Sequence, residues 1–138
     1  MPRIICIDIG GKRTGIAVTD ALQIISTGLE TIEARDLIPF LKKYFANEAV
    51  ELILVGMPLN LDGSDTHATS IVRNKIEEIK KNFPSIPVET IDERFTSKMA
   101  KQAMLEMGLK KKDRRDKRIV DEIAATMMLQ EYLRSRNS

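Results

Sequence analysis

The stretch that decides the fold is IICIDIGGKRTGIAVT, residues 4–19. Ile4 to Ile9 is an apolar run rich in β-branched residues, Gly10-Gly11 interrupts it, and Thr14 to Thr19 resumes the pattern. β-Branched side chains suit a pleated, buried surface, and a glycine pair supplies a turn, so the stretch predicts two antiparallel strands joined by a hairpin. A third extended stretch follows near Ile24 to Ile32. Asp36 then stands ahead of Leu37, Phe40, Leu41 and Tyr44, whose spacing predicts a helix capped by Asp36 and running to about Asn47. Leu52 to Val55 is a buried-type strand closed by Gly56 and Pro58. Thr66 to Asn82 is predicted helical, with Ile71, Val72, Ile76 and Ile79 on one side, and Val88 to Ile91 is the next strand. Thr96 or Ser97 can cap a helix ending at Gly108, and a last helix spans about Ile119 to Arg134. The order β-β-β-α-β-α-β-α-α predicts an α/β fold: a five-stranded mixed sheet, three antiparallel strands then parallel ones, flanked by helices.

The 138 residues suit one domain spanning 1–138, and 43% hydrophobic with 30% charged residues is ordinary globular composition, not disorder or a fibrous repeat. The single cysteine, Cys6, excludes an intramolecular disulfide and a cysteine-cluster metal site; it reads as a packing residue. The single histidine, His67, excludes two-histidine zinc motifs, and it reads as a surface residue ahead of an apolar helix. No apolar run approaches the roughly 18 residues of a membrane span, and no signal peptide pattern opens the chain, so the expectation is a soluble, cytoplasmic protein. Lys110 to Arg118 reads KKKDRRDKR, seven basic residues and two acidic ones, on an otherwise mildly acidic chain. Such a segment is either a solvated loop or a phosphate-binding patch, with Lys110, Lys111, Lys112, Arg114 and Arg115 as candidate substrate contacts.

Three carboxylate positions stand out. Asp8 interrupts Ile5, Cys6, Ile7 and Ile9, which are apolar at both parities, as in a strand buried on both faces. A carboxylate there is costly unless paired, hydrogen-bonded or held on a cation; the plainer alternative is a strand-end Asp accepting from the Gly10 and Gly11 amides. Asp121 falls on a helical stripe with Ala124, Ala125, Met128 and Tyr132, and the two alanines permit a close approach to a sheet. The alternative there is a first-turn acid stabilised by the helix dipole. Asp92-Glu93-Arg94 follows the strand Val88 to Ile91, at the carboxyl end where α/β proteins place ligands; spacing leaves open which of Asp92 and Glu93 points inward. Acids gathered without lysine or histidine repel one another, and a shared hard cation, Mg²⁺ or Mn²⁺, resolves the repulsion with oxygen ligands. Two such ions about 4 Å apart can activate water and stabilise the leaving oxygen in phosphodiester hydrolysis.

Four ordered motifs, Asp8-Ile-Gly-Gly-Lys-Arg-Thr-Gly-Ile-Ala-Val, Val55-Gly-Met-Pro-Leu-Asn-Leu-Asp-Gly, Asp92-Glu-Arg-Phe-Thr and Val120-Asp-Glu-Ile-Ala-Ala, resemble the YqgF (RuvX) family nearly end to end. Its members are described as Holliday junction resolvases and as pre-16S ribosomal RNA nucleases. The resemblance implies a ribonuclease H-like fold and a metal-dependent nuclease site made by Asp8, Glu93 and Asp121, with Glu93 favoured over Asp92. It implies nucleic acid as partner, either structured RNA in ribosome biogenesis or branched DNA; the apolar runs predict no membrane, and the oligomeric state stays open between a homodimer, which paired cutting of a junction needs, and a monomer, which suffices for RNA trimming. Lys12 and Arg13 at the first hairpin tip, Asn60 near the Asp62-Gly63 turn, and Arg94 are candidate phosphate contacts; a solvated or purely structural turn is the alternative for each loop. Resolvases of this fold resemble a four-carboxylate pattern with two acids on the last helix. Here Ala124 stands one turn after Asp121, which weighs against junction resolution more than against metal binding. A chain with no Trp, two Tyr and four Phe, scattered along the sequence, does not predict a base-stacking platform. A non-catalytic nucleic-acid-binding module is the main competing reading. A nucleotide-binding ATPase fragment is disfavoured, because no G-x-x-x-x-G-K-[ST] loop is present.

Overall fold

The computed structural model describes residues 2–10, 12–59, 62–92 and 117–137, with the side chains of 117–121 and 137 excepted. Arg3–Ile9 forms β1, Arg13–Thr19 β2 and Ser26–Glu33 β3. A 3-10 turn at Ala34–Asp36 leads into α1, Leu37–Asn47; then come β4 (Val50–Met57), α2 (His67–Asn82), β5 (Val88–Asp92) and a long helix, α3, Lys117–Asn137. The strands form one sheet in the order β3-β2-β1-β4-β5, with β1–β2 and β2–β3 antiparallel and β1–β4 and β4–β5 parallel. The expected mixed sheet is therefore present, and β1, the strand that carries Asp8, is its centre. The helix expected after Thr96 or Ser97, and the basic segment from Lys110 to Asp116, lie outside the described residues.

β1 is buried on both faces because its odd and even positions are both apolar. Ile5, Ile7 and Ile9 join Ile16, Val18, Ile53 and Val55 in a core covered by Leu37, Ile38 and Leu41 of α1 and Val72, Ile76 and Ile79 of α2. On the other face Ile4, Cys6, Ala17, Leu52 and Leu54 meet Ala125, Met128, Leu129 and Leu133 of α3. Each fully buried Ile or Leu contributes roughly 1.5–3 kcal/mol of transfer free energy, so both layers matter to stability.

Several local expectations need correction. Ile24 and Ile25 belong to an exposed turn and not to β3. Asp20 accepts from both of their backbone N–H groups, which stops the strand from starting earlier. Asp36 precedes α1 but makes no side-chain cap: the chain enters through the 3-10 turn, and Ala34 O takes the Leu37 N–H instead. Ile71 is 51% exposed, so the apolar stripe of α2 is Val72, Ile76 and Ile79 without it. Phe40, Tyr44, Phe45 and Phe83 are scattered in sequence but adjacent in space, with successive ring centroids 6.2, 6.3 and 4.9 Å apart. They pack on the α1/α2 core, half-buried. Burial also lifts the Tyr44 phenol above its ordinary range.

Candidate nuclease site

Asp8 sits next to the last residue of β1, half-buried, on the face that α3 covers. Register fixes its surroundings. Gly15 of β2 lies directly opposite it and Thr31 of β3 lies opposite Gly15. On the other flank the pair Ile7↔Val55 brings Gly56, the next residue of β4, alongside Asp8, and Gly56 pairs with Ile91 of β5. The Asp8 carboxylate thus rises from the sheet between two strands that contribute no side chain beside it. This glycine frame was not recognised from sequence. Its signal was the placement of Gly15 and Gly56 inside otherwise apolar strands, where a glycine commonly marks close approach of another group.

The same register separates the neighbouring charges. Thr14 shares the α1/α2 face with Ile9 and Ile32, so Arg13, one position earlier and half-buried, takes the Asp8 face, diagonal to the carboxylate. Lys12 is exposed in the turn, where its carbonyl accepts the Ala34 N–H at 2.9 Å. Gly10 is required there: its N–H donates to Arg13 O at 2.8 Å, and a Cβ on it would lie 2.7 Å from that same oxygen. In β5, Glu89 and Ile91 pair with Leu54 and Gly56 on the α3 face, so Asp92, paired with Met57, lies on the opposite face and is exposed. Asp92 is thereby removed from the neighbourhood of Asp8. Glu93, Arg94, Asn60, Lys110, Lys111, Lys112, Arg114 and Arg115 lie outside the described residues.

α3 is laid along the sheet by contacts that set its direction. Glu122 lies over Gly28, where a Cβ would stand 2.5 Å from Glu122 Oε1. One turn on, Thr126 O accepts from Ser26 Oγ at 2.9 Å, and at the far end of the helix Arg136 donates to Gln23 Oε1 at 2.5 Å. Glu33 and Arg13, at the Asp8 end, pair at one limit of the β2–β3 ladder and Ser26 and Thr19 at the other. The helix therefore descends away from the Asp8 end, and Asp121 occupies its upper part, one turn before buried Ala124 and Ala125. Tyr132, lower on the helix, has its phenol raised above the ordinary range by burial and by nearby Glu89, whose carboxylate accepts from it at 3.3 Å. Among the described residues no three carboxylate, histidine or cysteine side chains gather closely enough to hold a metal ion.

The loop after β4 reaches the same end of the sheet. Asp62 accepts from Ser64 N and Oγ at 2.8 and 2.6 Å, and a bridge pairs Leu59 with Asp65. Thr69 Oγ1 takes the Thr66 N–H at 2.8 Å and donates to Pro58 O at 2.6 Å, pinning the start of α2 beneath the loop. The Asp62-Gly63 turn is built by these contacts, with Gly63 at φ 88°. His67 opens α2 and is exposed, as the sequence led one to expect. No helix among the described residues is long and apolar enough to cross a membrane.

Comparison with known proteins gives this arrangement a family. The family model for RuvX, described as Holliday junction resolvase, matches residues 2–135. A candidate pre-16S rRNA nuclease of Flavobacterium psychrophilum is 53% identical over 133 residues, covering 96% of this chain and 97% of the relative. One from Flavobacterium johnsoniae is 52% identical over 136 residues, covering 99% of each. Among solved structures, Thermus thermophilus RuvC in complex with a Holliday junction superposes with TM-score 0.59 at 16% identity, covering 100% of this chain and 97% of that one. Fowlpox virus resolvase with its junction DNA gives TM-score 0.58 at 16% identity, covering 99% of each chain. At that identity the structural likeness speaks for the fold, which is the RuvC-type, ribonuclease H-like sheet. With a match across nearly the whole chain and relatives above half identical, the chain belongs to the RuvX family.

Proposed function

We propose that this chain is a metal-dependent endonuclease that hydrolyses phosphodiester bonds in structured RNA, processing the 5′ end of pre-16S ribosomal RNA in the cytoplasm. The observation that carries the reading is Asp8 itself. A carboxylate rising between two glycine positions at the carboxyl end of a sheet stands where α/β proteins place their ligands. The substrate follows from the relatives, which match end to end and are named for that RNA. Asp8, Glu93 and Asp121 are the proposed catalytic acids. Asp92 lies on the wrong face to share the role.

The donor set fits a hard divalent cation. The candidate ligands are carboxylate oxygens, Cys6 is buried in the core, and the single histidine opens α2, so Mg²⁺ or Mn²⁺ suits the site better than zinc. Asp8, Glu93 and Asp121 would hold the ion, which when bound supplies charge neutralisation at the phosphate and activates water for attack. The protein's own part is positional. β1 fixes Asp8 rigidly, Gly15 and Gly56 keep the space beside it open, and Arg13 on the same face offers a cation to a phosphate oxygen. Lys12, Asn60, Arg94 and the basic run at Lys110, Lys111, Lys112, Arg114 and Arg115 extend the phosphate contacts, giving affinity that falls steeply with salt.

Junction resolution is the second reading, favoured by the family's description. Against it stands Ala124, 7% exposed on α3, a turn after Asp121 where resolvases of this fold carry a further acid. The deciding experiment incubates the protein with a 5′-extended pre-16S RNA fragment and with a four-way DNA junction, each with Mg²⁺, Mn²⁺ or EDTA. RNA cut at a defined position only with metal supports the proposal. Junction cut in paired strands with the RNA untouched transfers it to the second reading, and no cleavage of either contradicts both.

A further inference from the structure

The turn between β2 and β3 presents three large aliphatic side chains outward: Leu22, Ile24 and Ile25 are exposed to 64%, 62% and 60%. The backbone beneath them is braced. Asp20 Oδ1 accepts the Ile24 and Ile25 N–H groups at 2.8 and 2.9 Å, and the Gln23 N–H donates to Asp20 O at 3.0 Å. Those amides, Ile25's foremost, hold the Asp20 carboxyl below its usual range. Gln23 adopts φ 58° and its side chain bonds Pro2 O, Glu51 and Arg136, tying the turn to the chain start, to β4 and to the end of α3. The result is a rigid apolar knob whose shape needs no ordering on contact.

We infer that this knob seats in an apolar groove on a protein component of the assembling small ribosomal particle, holding the nuclease while its opposite end works on the RNA. The inference rests on the ribosomal RNA reading above. Three observations select this occupant. Residues 20–25 include no lysine or arginine and do include Asp20, so the tip has nothing for a phosphate backbone. Three side chains on one turn make a patch far smaller than the ~800 Å² each partner of a stable complex buries, so two knobs face to face make a poor dimer. A convex knob of that size does suit the hot-spot core of a larger interface with a concave partner. Position is the third: β1 is seven residues long, which puts the knob about 20 Å from Asp8 at the far end of the sheet, so protein and RNA can be engaged together.

The test is the triple variant Leu22→Ser, Ile24→Ser, Ile25→Ser, with Ile24→Ser alone as a milder companion. Both are made in the Asp8→Asn background, so that binding is read without cleavage. Co-sedimentation with purified precursor small-subunit particles and filter binding to protein-free pre-16S RNA are compared with the parent. The triple variant is expected to bind particles at least tenfold more weakly and Ile24→Ser severalfold, while binding free RNA as the parent does. Equal binding to particles overturns the inference, and so does an equal loss on both targets. A parent dimer in solution that the triple variant converts to monomer also overturns it, in favour of a second copy. Cleavage is read separately with the wild-type catalytic centre. Knob-dependent particle binding by a protein that cuts no precursor would sink the nuclease reading and leave the docking standing.

Discussion

The two faces of the sheet are built from different side chains for different ends. Toward α1 and α2 the central strands present Ile5, Ile7, Ile9, Ile16, Val18, Ile53 and Val55, bulky and β-branched throughout. Toward α3 the same strands present Cys6, Ala17, Gly15 and Gly56 among larger Ile4, Leu52 and Leu54, and the helix answers with Ala124 and Ala125. The first face maximises apolar burial. The second gives up part of that burial so that a helix can lie close to a strand carrying a carboxylate. On the proposed reading, stability and chemistry are divided between the two sides of one strand, β1, through nothing more than the period-two alternation of its side chains.

That division can be broken from either side. Ile53→Ala on the bulky face leaves a cavity in a fully buried row and is expected to cost about 2–5 kcal/mol in urea denaturation, with cleavage per folded molecule unchanged. Loss of activity beyond the unfolded fraction would show that the faces are not independent. Ala125→Leu overpacks the α3 face and is expected to cost about 1–3 kcal/mol, with a fall in cleavage larger than its stability loss explains, because the helix is pushed off the Asp8 face. Normal turnover in that variant would count against the close-packing argument. Thr14→Val is a smaller effect of opposite sign. The Thr14 hydroxyl is fully buried between Ile9 and Ile32 and makes no hydrogen bond among the described residues, so the substitution is expected to stabilise by about 1 kcal/mol in the same assay. Tyr132→Phe, at the far end of α3 and partly exposed, is expected to change stability by less than about 0.5 kcal/mol at neutral pH. The raised phenol pKa means that any contribution is complete below pH 10 and fades only as pH climbs through the still higher folded value.

Much of this arrangement was legible in the sequence. The IICIDI run and its glycine turn announced the central strand and hairpin, because an apolar strand at both parities has only one place in a sheet. Asp8 announced itself for the same reason, as a charge where the pattern allows none. What stayed hidden were pairings across strands. Nothing local told that Gly15 and Gly56 would flank Asp8, since that depends on the register of β1 against both neighbours. Nor did Asp92 show its facing until β5 was aligned with β4, where Met57 takes it to the α1/α2 side. Ile24, Ile25 and Ile71 misled in the other direction, because hydrophobicity alone does not say which apolar side chains a fold leaves outside.

The central claim is that Asp8 is an acid on which cleavage depends, and one variant tests it. Asp8→Asn keeps the shape and removes the charge. Cleavage of the precursor RNA fragment with Mn²⁺ and the urea midpoint are measured on the same preparation. The account predicts cleavage lost by at least about a hundredfold, with a midpoint equal to that of the wild type. Undiminished cleavage by a folded Asp8→Asn protein, or a variant that unfolds outright, would contradict it.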